Sequence, residues 1–196
     1  MKLQLYNLYL EHREAGRKRE ATDAIRDFVA SFKRESDREE WVRQFLEHGV
    51  YGHRIRHEIY AQLVFPVLLD GYARRSFWSI SWLAKTVSNV YADPSLHAQI
   101  GFKGERQLFR EAFELHQSDE MRDRLLSAHL SEFEYCAHEW PAGILYGTDG
   151  ATAEECREIL EDLDFARALD DGTNETFLNE FEQKVHEYRQ RLSSST

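Results

Sequence analysis

The chain has 196 residues and a formal charge of −10, from 35 Asp+Glu against 25 Lys+Arg, with 42% hydrophobic residues. At this length a folded chain hides roughly 70% of the surface its unfolded form exposes, so neither a disulfide nor a structural metal is required to hold a core together. Ten Gly and three Pro are too few for a sandwich, a barrel, collagen or a disordered linker.

The N-terminal segment is interrupted by Gln4 and Asn7 and becomes charged from Glu11, which does not suit a secretory signal. Leu3, Tyr6 and Leu10 recur instead at helical spacing, and the first helix is expected over Leu3–Ala15, stopping at Gly16. A second runs over Glu20–Phe32, with Ile25, Phe28, Val29 and Phe32 along one side. Ser36-Asp37-Arg38-Glu39 has the spacing of a capping box, opening a helix that ends at Gly49. The next, His53–Leu69, contains Pro66, where a kink or break is expected. Its apolar run Leu63–Leu69 is far shorter than the roughly 20 residues a membrane span needs.

A single long helix is predicted over Tyr72–Tyr91, then a short one started by Asp93-Pro94 and stopped at Gly101. Glu105–His116 and Asp119–Ala137 follow, then the breaker-rich stretch Trp140–Gly150, in which His138, Glu139, Trp140 and Tyr146 are candidate loop contacts. Thr152-Ala153-Glu154-Glu155 is a second capping box, opening Glu154–Leu169, and Glu175–Leu192 carries a stripe of Phe177, Leu178, Phe181, Val185, Tyr188 and Leu192. The fold class is therefore all-α: a compact bundle or stacked hairpins of about nine helices. It is read as one domain over residues 1–196 with a weak sub-boundary near 143–150. Trp82-Leu83-Ala84 and Leu126-Ser127-Ala128 can be superposed 44 residues apart, within the range of HEAT-type repeats, but no further copy continues the register.

Acidic residues crowd the C-terminal third. Between Ala153 and Glu187 twelve carboxylates, among them Glu154, Glu155, Glu158, Glu161 and Asp162, face only Arg157, Arg167 and Lys184. Such a surface repels phosphate backbones and suits a basic protein, although acidic helical faces also serve solubility alone. Arg13, Arg17, Lys18 and Arg19 form a basic knot too short for a nucleic-acid or membrane patch. On a continuous helix over Tyr72–Tyr91, Phe77, Ile80, Ala84, Val87 and Tyr91 fall within about 80° of arc. Trp78 and Trp82 lie on the other side, beside Arg75, Lys85 and Asn89. That arrangement reads either as a central helix packed on both sides or as a Trp pair offered to a partner.

His53 and His57, four residues apart and followed by Glu58, could supply half of a tetrahedral zinc shell, with further ligands from His129, His138 or Glu139. A pair of buried, hydrogen-bonded histidines explains the spacing equally well. Ala61 and Ala142 stand where a zinc-protease helix needs its second histidine, and no Glu precedes a His by three. Neither glycine pair, Gly101/Gly104 or Gly147/Gly150, sits in a phosphate-binding context, and no Gly-x-Ser-x-Gly elbow exists. Cys136 and Cys156, without C-x-x-C spacing, read as reduced and structural.

No catalytic residue and no cofactor is assigned. The leading expectation is a cytoplasmic, non-enzymatic interaction module. It would bind and neutralise a basic protein through Trp78, Trp82, Arg75 and the acidic residues Glu154, Glu155, Glu158, Glu161 and Asp162. Bacterial toxin-immunity and antitoxin-like proteins are of this physical type. A metal-binding helical enzyme built on His53 and His57, and a helical-repeat scaffold for peptide or nucleic acid, are the alternatives.

Overall fold

The computed structural model describes residues 2–49, 55–139 and 152–194, and among them every regular element is helical. In chain order these are α1 (Lys2–Glu14), α2 (Lys18–Ala30), α3 (Glu35–His48) and α4 (His57–Ile59). A π-helical turn (Tyr60–Val64) leads into α5 (Phe65–Ala73), α6 (Phe77–Lys85), α7 (Val87–Tyr91) and α8 (Pro94–Gln99). The remainder are α9 (Glu105–Leu115), α10 (Asp119–Glu139), α11 (Ala153–Leu169) and α12 (Glu175–Ser194). The all-α expectation holds, and none of the described helices is long and apolar enough to cross a membrane. The packing divides the chain into two units, Met1–Ala112 and Phe113–Thr196. The division falls inside α9, upstream of the 143–150 stretch that composition singles out, which lies outside the described residues.

In the first unit, α1 and α2 form a hairpin whose turn contains Gly16 at φ +70°, a left-handed conformation favouring glycine. Aromatic rings tie this hairpin to α3. Phe28 lies 5.2 Å from Tyr6 and 5.1 Å from Trp41, and Trp41 stacks on Phe45 at 4.6 Å. The Ser36 capping box does not form: α3 begins at Glu35, two residues before the start that box requires, and its N-cap Arg34 makes no side-chain bond. With Ser36 inside the first turn, its spacing to Glu39 no longer matches the N-cap and N3 positions.

Pro66 does not break its helix. A proline ring would collide with the carbonyl four residues back, at Gln62, and that carbonyl lies in the widened π turn, so the chain stays helical through Pro66. The expected single helix over Tyr72–Tyr91 is instead three pieces. The chain leaves α5 through Arg75 at φ +56°, with Ser76 N–H donating to the Gly71 carbonyl at 2.8 Å and Arg75 N–H to that of Tyr72 at 2.9 Å. It breaks again at Thr86, whose hydroxyl donates to the Trp82 carbonyl at 2.6 Å. Helices α5 and α6 meet closely at Gly71, where a Cβ would stand 1.9 Å from Ser79 Oγ and 2.7 Å from Ser79 Cβ.

The second unit packs α10, α11 and α12 around Phe133, Leu163, Leu178, Phe181 and Val185. Phe133 and Phe181 stack at 4.7 Å. Cys136 and Cys156 are buried thiols in this core, and burial pushes the Cys156 thiol up. The Thr152 capping box forms as predicted: Thr152 Oγ1 accepts from Glu155 N–H at 3.1 Å, and Glu155 Oε2 accepts from Thr152 N–H at 2.8 Å.

Candidate functional site

The two units differ in charge more than in any other property. The first carries 18 Lys+Arg against 15 Asp+Glu, a balance of +3; the second carries 7 against 20, a balance of −13. In the second unit four of the six arginines pair with carboxylates of its own surface. Arg122 pairs with Asp123 at 3.0 Å and Asp119 at 3.3 Å, Arg124 with Glu120 at 3.0 Å, and Arg167 with Glu182 at 2.5 Å. Arg157 bridges Glu154 and Glu161 one turn to either side. Each pair is a local, solvent-exposed or half-exposed contact that water and salt screen, and none cancels the surplus of carboxylates.

The predicted acidic residues share one helix but not one role. Glu154, Glu158 and Glu161 are exposed on α11, as the i, i+4, i+7 spacing requires. The neighbouring Arg157 guanidinium holds the Glu154 carboxyl below its usual range, so it stays ionised. Glu158 faces solvent in the field of the same guanidinium. Glu155 is different: half-buried, its carboxylate closes the capping box, which makes it a fold-holding group. Asp162 is half-buried.

Sequence reading missed α10 as part of the acidic surface. Asp119, Glu120, Asp123 and Glu134 are exposed on it, and Tyr135 projects with 59% of its surface accessible. The signal was present: Met121, Leu125, His129, Phe133 and Cys136 form the buried stripe, and Tyr135 falls off it. An exposed tyrosine among carboxylates combines a large apolar face with a hydroxyl, the pattern of an interface anchor.

Trp78 and Trp82 belong to the first unit. Both are half-buried on α6, with ring centroids 6.4 Å apart. Helix α3 holds Trp78 in place: its Nε1 donates to Glu47 Oε1 at 2.8 Å, and the Arg43 guanidinium lies 4.3 Å from its ring. The Lys85 ammonium lies 5.0 Å from the Trp82 ring. Arg75 does not join them. On a continuous helix it would sit one turn before Trp78, but the chain is left-handed at Arg75 and the register is lost there. Asn89 is buried, its Oδ1 accepting from Ile55 N–H at 2.9 Å and its Nδ2 donating to the Thr86 carbonyl at 3.0 Å, which makes it structural.

Of the proposed metal pair, His53 lies outside the described residues, as do the side chains of His138 and Glu139 and the stretch Trp140–Gly150. His57 is exposed, with Nε2 3.8 Å from Asp93 Oδ2. Glu58 is engaged by Arg56 in a two-point pair, 2.9 Å at each contact, which holds its carboxyl below the usual range. His129 is fully buried in the second unit between the rings of Phe133 and Phe165, 5.9 and 5.6 Å away. Among the described residues no group of three or more His, Cys, Asp or Glu is placed to hold a metal ion.

Comparison with protein families, with curated proteins and with solved structures yields no match for this chain.

Proposed function

We propose that this protein is a non-enzymatic, cytoplasmic interaction module that captures a basic protein partner on the acidic surface of α10–α12. In physical type it is a toxin-immunity or antitoxin-like protein. The observation that carries the reading is the balance of −13 on the second unit, in which four of the six arginines are already engaged by its own carboxylates. A surface of one sign steers an oppositely charged partner over distances comparable to the Debye length, about 8 Å at physiological ionic strength. Affinity then has to come from buried apolar anchors, because rim charges govern encounter more than residence. Tyr135 is the exposed anchor in the acidic unit. On the first unit Trp78 and Trp82, already fixed by Arg43, Glu47 and Lys85, are a separate pair of aromatic anchors that would lose little side-chain entropy when covered.

The experiment is affinity capture with the full chain from the source cells at low salt, followed by identification of the bound protein and a binding measurement with both proteins purified. The reading requires a strongly basic partner whose binding is weakened by Tyr135→Ala. A partner that is acidic, or one that binds equally well after Glu154, Glu158 and Glu161 are changed to Gln, would overturn it.

A further inference from the structure

Independent of the acidic surface, the first unit exposes an aromatic corner that its own packing does not explain. Among the described residues Phe102 is the most exposed large hydrophobic side chain, at 63%, and Tyr91, in the same corner, is 50% exposed. His97 joins them edge to face, its ring 5.2 Å from each and inclined at 67° to Tyr91 and 71° to Phe102. We propose that this corner, built by α7, α8 and the turn into α9, is a self-association surface. Phe102 of one copy seats against Tyr91 and His97 of a second copy of this chain, and the contact is returned by the second copy.

The turn holds Phe102 outward at a cost. Its φ is +57°, directly after Gly101 at +69°. That left-handed region suits glycine, but for a bulky side chain it is an outlier that raises the free energy. Leaving the ring in water raises it further. The conformation is nevertheless clamped by its neighbours. Phe102 N–H donates to the His97 carbonyl at 3.0 Å, and His97 Nε2–H donates to the Lys103 carbonyl at 3.2 Å. The Lys103 ammonium donates to the Tyr72 hydroxyl at 2.6 Å and pairs with Glu111. Gly104 N–H donates to Gln107 Oε1 at 2.7 Å, and Glu105 N–H to the Tyr91 hydroxyl at 3.2 Å. Strain persists where the surroundings over-determine it, and it concentrates at binding sites. A single exposed ring is ordinary; a strained, clamped ring touching a ladder of other rings has the form of an interface anchor.

Charge selects the occupant. From Val87 to Ala112 there are three cations, Lys103, Arg106 and Arg110, and three carboxylates, Asp93, Glu105 and Glu111. A patch of one sign would favour a partner of the other sign, whereas a balanced patch is self-complementary across a two-fold axis. The first unit as a whole stands at +3, so two copies approach through it with little repulsion, while −13 on the second unit opposes self-contact there. The same aromatic pairing that joins Phe102 to His97 within one chain then continues between chains. A contact centred on so few side chains falls in the class of small interfaces, below about 1,200 Å², so the dimer is a weak one.

The test is sedimentation velocity on the full chain from about 10 µM to about 1 mM, at about 50 mM and about 500 mM salt. The proposal expects a reversible monomer–dimer equilibrium within that range, no weaker at the higher salt, because screening relieves the repulsion between acidic units. Phe102→Asn should weaken the dimer by about tenfold or more, since asparagine keeps the left-handed turn and removes the ring. Its melting temperature should equal or exceed that of the parent, which separates loss of contact from loss of fold. Replacing Glu154, Glu158 and Glu161 by Gln should leave the dimer in place. A parent that stays monomeric up to about 1 mM overturns the proposal, even if Phe102 proves to hold some other protein. So does a dimer that survives Phe102→Asn unchanged, or one that dissociates as salt is raised. None of these results bears on the basic partner of the acidic surface, so the two readings fail separately.

Discussion

The two units have cores of the same kind and surfaces of opposite kinds. Phe28 in the first and Phe133 in the second are each essentially inaccessible and each packed against other aromatic rings. Outside those cores, the first unit balances its charges and the second accumulates thirteen more negative than positive ones. The difference teaches that the acidity is not a requirement of helical packing. A balanced surface supports the same architecture, so the surplus on α10–α12 is stability given up to self-repulsion in return for a long-range field.

The comparison can be attacked first through the cores. Phe28→Ala and Phe133→Ala should each lower stability by about 3–5 kcal/mol, measured by urea denaturation, because each leaves a cavity among aromatic neighbours. Similar losses in the two units would confirm that their cores are equivalent, and a small loss at Phe133 would show the acidic unit to be loosely packed. Next in size is Gly71→Ala, expected to cost about 2–3 kcal/mol. Ser79 Oγ can rotate away from the new methyl, but its Cβ at 2.7 Å cannot, so α5 and α6 must separate.

Smaller effects probe the acidic unit. Thr152→Ala should destabilise it by about 1 kcal/mol, since the Glu155 N–H loses its Thr152 Oγ1 acceptor while the backbone N–H at 152 keeps its bond to Glu155 Oε2. Arg167→Ala should cost about 0.5–1 kcal/mol near neutral pH. Its guanidinium holds the Glu182 carboxyl below its ordinary value, so the stabilisation is present above the unfolded carboxylate pKa. It is lost as pH falls through the lower folded value. The variant and the parent should therefore converge in stability towards acid, as followed by circular dichroism melting. If the difference between them grew instead, the ion pair would not be its source.

Much of this was legible in the sequence, and the exceptions have physical causes. Gly16, Asp93-Pro94 and the Thr152–Glu155 box place helix ends through local chemistry, which sequence displays directly. The breaks at Arg75 and Thr86 were not legible, because neither residue is a helix breaker by type. The first follows from the close approach of Gly71 to Ser79, the second accompanies Thr86 bonding back to the Trp82 carbonyl and outward to Tyr60. Those breaks removed Arg75 from the Trp pair, and the α3 residues that do touch Trp78, Arg43 and Glu47, lie more than thirty positions away in sequence. The acidic residues of α11 were legible as composition, while the commitment of Glu155 to the cap and the exposure of Tyr135 needed three dimensions.

The association rate of the purified partner with the full chain, measured as salt is raised from about 20 mM to about 500 mM, bears most directly on the steering field. The account predicts a fall of about tenfold to a hundredfold, with a much shallower dependence when Glu154, Glu158 and Glu161 are replaced by Gln. A rate that ignores ionic strength, in parent and variant alike, would contradict it.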